Sequence, residues 1–165
     1  MRSSFVRFEA IARASGGLAT DLVPEANLDV EAVSLHPFDT RNIHPSVPTK
    51  VKRLFDDGHF AEATFHAFKF LDKQVQKHSK LSESGYKLMM AAFDDAKPKL
   101  QLTPLITESE KDEQKGYRFV FAGVVQAIRN PRGHDYTVVD NPEICLDHLS
   151  VVSMLLRRLE AAGFK

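Results

Sequence analysis

From residue 49 onward, apolar side chains return at spacings of three and four, and this period constrains the chain more than any other feature. Phe60, Thr64, Ala67, Leu71 and Val75 form one stripe, widened by Phe65 and Phe68, which predicts a helix over Gly58 to about Lys77 packed on more than one neighbour. Thr49–Phe55 leads into it and is broken at Asp56-Asp57-Gly58. Ser82 to about Ala96 carries Tyr86, Met89, Met90 and Phe93 and stops before Pro98. Glu113–Arg129 carries Tyr117, Val120, Phe121, Val124, Val125 and Ile128. Pro131 disfavours helical geometry at Asn130, so this helix is expected to end near Arg129. The last helix starts with Asn141 as cap and Pro142 in its first turn, and continues to about Glu160 on Cys145, Leu149, Val152, Leu156 and Leu159.

Strand alternation matches only fragments such as Tyr136–Val139, too short to build a sheet. The expected fold is therefore all-α: a bundle of four long helices with short helices at its N-terminal side. Those short helices fall in residues 1 to about 35, where Phe5, Phe8, Ile11 and Ala12 share a face, Gly16-Gly17 marks a turn and Pro24 suits a first helical position. HPFDTRNIHPSVP (36–48) holds three prolines and reads as an extended connector, and the acidic TESEKDEQK (107–115) as an exposed loop. The domain division follows: 1–48 as N-terminal segment and connector, 49–165 as the bundle.

Composition narrows the function classes. Basic and acidic residues balance at 22 each, so the chain lacks the basic excess of a protein that coats nucleic acid, and any such activity needs a local site. A lone Cys145 excludes a disulfide framework and a cysteine-rich zinc site. No apolar run is long enough for a membrane span. Met1–Ala19, with Arg2, Arg7, Arg13 and three serines, hints at a transit peptide, but Glu9 lies within it and no continuous apolar core appears. It therefore reads as an amphipathic first helix, and the cytoplasm is the default compartment. His59 and His66, with Glu62 between them, resemble a metal face but lack a further ligand. No metal and no cofactor is expected.

The densest polar constellation is Ile128-Arg129-Asn130-Pro131-Arg132-Gly133-His134-Asp135-Tyr136. Arginine offers a permanently charged planar fork of donors for a phosphodiester, and histidine can take or give a proton near neutral pH. Together they suit cleavage of RNA in which the ribose 2′-hydroxyl is the nucleophile, leaving a 2′,3′-cyclic phosphate without any metal. The spacing alone is weak, since Arg53 and His59 match it in an ordinary turn. Read without further context, Arg129 caps its helix and His134 bonds the backbone of its turn. Read as a site, the junction is a loop in which His134 curls back beside Arg129. Arg118 lies eleven residues before Arg129, close to three turns, which places it on the same face as a second phosphate contact or a surface ion pair. Arg132 is a further substrate-binding candidate. His36 and His44 fall in the connector, and His148 in the core or an interface.

DDGHFAEATFHAFKFLDKQV (56–75), GYKLMMAAF (85–93), KGYRFVFAGVVQAIRNPRGH (115–134) and the leucine-rich last helix together resemble the HEPN superfamily (higher eukaryotes and prokaryotes nucleotide-binding) and, more narrowly, a bacterial family labelled Ymh. The resemblance covers about residues 45–160. It implies a helical bundle that dimerises, with a signature of an Arg followed by a polar residue and, after four to six residues, a His. Arg129, Asn130 and His134 occupy those positions. It also implies metal-independent endoribonuclease activity in toxin–antitoxin or phage-defence systems, with RNA and an antitoxin or defence protein as partners, or binding of RNA or a nucleotide without cleavage. In some HEPN toxins the motif continues as His-x-Tyr and a partner nucleotidyltransferase adds AMP to the tyrosine. Here it reads His134-Asp135-Tyr136, which makes Tyr136 a candidate modification site, although the other matches lie with the RNP-type family.

Overall fold

The computed structural model describes residues 35–164, and the expectations for residues 1–34 lie outside them. The described chain divides between two compact units, with the boundary after Asn42. Before it lies a single helical turn, Pro37–Thr40, opened by proline and capped by His36, whose Nδ1 accepts the Phe38 N–H at 3.0 Å.

From Ile43 onward the chain is helical, with no strand among the described residues. The helices are α1 (Thr49–Asp56), α2 (Phe60–Ser79), α3 (Gly85–Ala92), α4 (Glu108–Val124), α5 (Asn130–His134) and α6 (Pro142–Ala161). A π-helical turn, Val125–Arg129, joins α4 to α5. No helix among the described residues is long and apolar enough to cross a membrane.

α2 is the central element because its apolar stripe is wide. Ala63, Ala67, Phe68, Leu71 and Val75 are fully buried, and the helix packs on α1, α3, α5, α6 and the π turn. α1 buries Val51 and Phe55 and stops at Gly58, whose φ of +81° suits a residue without Cβ. α6 begins where Asn141 Oδ1 accepts the Ile144 N–H at 2.8 Å, and it buries Cys145, Leu149, Val152, Leu156 and Leu159. Between α3 and α4 the core is completed by Leu100 and Leu102. The wholly buried Gln114 pins this connection, with Oε1 accepting the Leu102 N–H at 2.8 Å and Nε2 donating to the Leu100 carbonyl at 3.1 Å. Phe93 stacks on Phe121 with centroids 4.3 Å apart.

The connector 36–48 is not extended throughout, since proline opens the helical turn Pro37–Thr40 within it, and three features of the bundle also differ from the sequence reading. The Ser82–Ala96 segment is helical only over Gly85–Ala92, since Asp94 Oδ1 accepts the Ala96 and Lys97 N–H groups, each at 3.0 Å, and makes a turn instead. The acidic stretch 107–115 is not a loop. Thr107 and Glu110 form a reciprocal capping box, and α4 starts at Glu108, where its first-turn carboxylates meet the positive helix end. Finally, the helix does not stop at Arg129. Asn130 donates to the Val125 carbonyl, an i to i−5 bond, and the helical course continues through Pro131 to His134. The wider π turn lies just ahead of the proline, where an ordinary α turn would clash with its ring and miss its N–H.

Candidate functional site

Arg129 closes the π turn, and its guanidinium lies over the Phe65 ring of α2, 5.3 Å from the centroid. Its Nη1 donates to Asn130 Oδ1 at 3.0 Å, and Asn130 Nδ2 reaches Gln126 Oε1 at 3.4 Å. The residue is half-buried, and the aromatic ring backs the cation. α5 approaches α2 closely at Gly133, where a Cβ would lie 2.7 Å from Phe65 Cε2. Arg129, Asn130, Phe65 and Gly133 therefore form one packed group.

His134 does not curl back to Arg129. Because residues 129–134 stay helical, five positions separate the two by about 140° of rotation and about 7.5 Å of rise, and His134 is exposed at the end of α5. The π turn also undoes the expected Arg118–Arg129 face. One extra residue in the coil turns the two about a quarter-turn apart. Arg118 is instead tied into its own surroundings: Nε donates to the Met90 carbonyl at 3.1 Å, Nη1 pairs with Asp95 at 2.6 Å and Nη2 with Asp94 at 3.1 Å.

Arg132 is taken up by the fold as well. Its Nε and Nη2 grip Asp140 at 2.6 and 2.5 Å, and Nη1 donates to the Ile128 carbonyl at 2.8 Å. Asp140 is 3% exposed and also accepts Thr64 Oγ1 at 3.3 Å. Burial works to raise its carboxyl, but the Arg132 hydrogen bonds and charge win and hold it below the ordinary carboxylate range. His148 stands 3.9 Å from Asp140, and burial together with the Arg132 charge lowers its pKa, which favours a neutral imidazole. Cys145 lies beside this group, its thiol pushed up by burial. This cluster locks α5 to α2 and α6 and so sets where Arg129 stands.

Tyr136 is 99% exposed in the turn after α5. His59 stands at the start of α2, and among the described residues no three His, Cys, Asp or Glu side chains gather as a metal set. His44 is buried, its N–H donating to Ser153 Oγ at 3.0 Å and its Nε2 3.1 Å from Glu160, so it anchors the start of the bundle to α6.

Two members of the site are missing from the sequence reading. Phe65 counts there only as a wider part of the core stripe. Asp72, one turn after Phe68 on the buried side of α2, is 4% exposed, and its Oδ2 accepts the Gly85 N–H at 3.0 Å. Burial raises its carboxyl against the pull of that N–H and of the Arg129 and Lys73 charges. An acidic residue on an otherwise apolar stripe is the available signal.

Residues 41–159 match the family described as "Protein of unknown function (Hypoth_ymh)". The chain belongs to the Ymh family. The match takes in α1 to α6 except the last two residues of α6, and so includes the Arg129 site and its Asp140 lock. No curated protein and no solved structure matches the chain.

Proposed function

We propose that this Ymh-family chain is a metal-independent endoribonuclease of the HEPN type, with a site completed when two copies bring residues 129–134 together. The observation that carries the reading is Arg129. A helix carried through an Asn-Pro step by a π turn holds its guanidinium against Phe65, with Asn130 on one nitrogen. π turns of this kind are frequent at functional sites, and the planar fork suits a phosphodiester. His134 lies round the helix from Arg129 and is exposed, so it is free to act across a two-fold axis on a phosphate held by the other copy.

The chemistry balances without an external reagent. His134 takes the proton of the ribose 2′-hydroxyl, the 2′-oxygen bonds to phosphorus, and the bond to the 5′-oxygen breaks. The leaving oxygen takes up a proton, and the products are a 2′,3′-cyclic phosphate and a 5′-hydroxyl. Arg129 stabilises the charge that develops on the phosphoryl oxygens, and Asn130 orients Arg129. A toxin–antitoxin or phage-defence role fits such an activity, with an antitoxin or defence protein as restraint. The exposure of Tyr136 leaves its hydroxyl open to a modifying partner.

The test is incubation of the purified protein with RNA in EDTA. Cleavage should persist, fall on the order of 10²–10³-fold in Arg129→Ala and about 10²–10⁴-fold in His134→Ala. Arg129→Lys should not restore it fully, and Arg53→Ala and His59→Ala should leave it intact. A 2′-deoxy nucleotide at the cleavage position should block cutting, and equal cutting of that substrate refutes the mechanism. Light scattering should report a homodimer, and a monomer at micromolar concentration removes the shared site. The angular separation of Arg129 and His134 within one chain favours a second reading, an RNA- or nucleotide-binding dimerisation module. Arg129-dependent binding without cleavage would establish it.

A further inference from the structure

Four buried side-chain polar atoms among the described residues have no hydrogen-bond partner, and two of them belong to one place: Arg129 Nε and Asp72 Oδ1. Asp72 lies seven residues after Phe65 on α2, two turns along the same face, and Phe65 is the ring beneath the Arg129 guanidinium. The Arg129 charge acts on Asp72, yet the two are not in ion-pair contact. Asp72 is itself held still, because its other oxygen takes the N–H of Gly85 at the start of α3. A fixed acceptor and a donor resting on a non-directional aromatic face, each buried and without a partner, are complementary to one another.

We propose that Asp72 is a positioning residue for Arg129: its free Oδ1 accepts the Arg129 Nε–H when a phosphodiester binds, and so aims the two Nη groups at the phosphate. The inference rests on the reading of Arg129 as a phosphate clamp, and it adds a residue outside the 129–134 segment. At rest, the guanidinium is held by Phe65 and by Asn130 at Nη1 alone. The ring contact is non-directional, and the Asn130 bond holds one nitrogen only. A hydrogen bond at Nε adds a second fixed point on the guanidinium plane, and in a water-poor setting a charge-assisted one is strong. Asp72 is buried and touches no substrate atom, so its effect passes through Arg129.

The test reads Arg129 directly. In 15N-labelled protein the Nε–H resonance of Arg129 is identified by its disappearance in Arg129→Lys. Addition of an RNA oligonucleotide blocked by 2′-deoxy substitution should move that resonance downfield and slow its exchange with water. In Asp72→Asn, which keeps the shape and an acceptor for Gly85, the response should be lost. In cleavage assays the same variant should lose roughly 10–10²-fold in kcat, the size of a misplaced catalytic group, with KM nearly unchanged. It should cost nothing further in the Arg129→Lys background, which has no Nε–H. An Arg129 resonance in wild type that ignores the oligonucleotide overturns the proposal. So does a kcat loss from Asp72→Asn that is as large in the Arg129→Lys background as in wild type. If wild type binds the oligonucleotide but cuts no RNA, the nuclease reading fails while the resonance still decides the role of Asp72. If Asp72→Asn does not fold, a through-bond coupling across the hydrogen bond from Arg129 Nε–H to the Asp72 carboxylate carbon, measured in the oligonucleotide complex of the doubly 13C,15N-labelled wild type, decides instead, and its absence overturns the proposal.

Discussion

Removing Arg132 should destabilise the fold far more than a surface arginine would. Its side chain is 10% exposed and that of Asp140 is 3% exposed, and Asp140 would be left with only Thr64 as a hydrogen-bond partner. Breaking a buried pair by deleting one member costs about 3–5 kcal/mol, because a charge stays buried without compensation. For a chain of 165 residues that is a fall in Tm of roughly 6–20 °C, at about 2–4 °C per kcal/mol. Arg132→Ala followed by urea and thermal denaturation measures it. Arg132→Met combined with Asp140→Leu should recover most of the loss, since replacing both charges by apolar groups of similar size is often neutral. The pair also predicts a pH dependence. Asp140 has a native pKa below its unfolded value, so its contribution is present above the unfolded value of about 3.9 and is lost as pH falls through the native one. The wild type should therefore lose more stability on acidification than the double variant. An Arg132→Ala protein with wild-type stability, or equal acid sensitivity in the wild type and the double variant, refutes the argument that this ion pair locks α5.

Gly133→Ala tests the close approach of α5 to α2. In an open helix the change gains about 1 kcal/mol, but here the new methyl meets Phe65 at 2.7 Å, so denaturation should show a net loss that Phe65→Leu relieves. Phe121→Ala should cost about 3–5 kcal/mol and Leu149→Ala about 2–5 kcal/mol in urea titrations, since both are fully buried. Thr107→Ala should cost about 1 kcal/mol, the usual loss for an N-cap side chain.

Much of the architecture is legible before folding is considered. Helix periodicity places α1, α2 and α6 within two or three residues, and the Asn141-Pro142 start of α6 lies where cap chemistry puts it. The rule that proline ends a helix misplaces the segment that matters most. It weighs the local cost at Asn130 and ignores the packing of α2 on the π turn and α5, which a widened coil preserves. The capping box at Thr107 and Glu110 is present in the sequence as T-x-x-E, but the charged residues around it give the stretch the look of a loop.

The candidate site divides in the same way. The sequence by itself determines that Arg129, Asn130 and His134 lie together on a few turns of chain between two apolar helices, because periodicity, caps and residue chemistry act over one or two turns. Only the tertiary structure decides which of them share a side. The helix through Pro131 turns His134 away from Arg129, and Arg132 is drawn to an aspartate eight residues on. It also sets Phe65 and Asp72 of a helix more than fifty residues earlier beside Arg129. Those pairings depend on distance and burial between elements, and charges remote in the chain gain their strength only where folding has brought them together and removed water from between them.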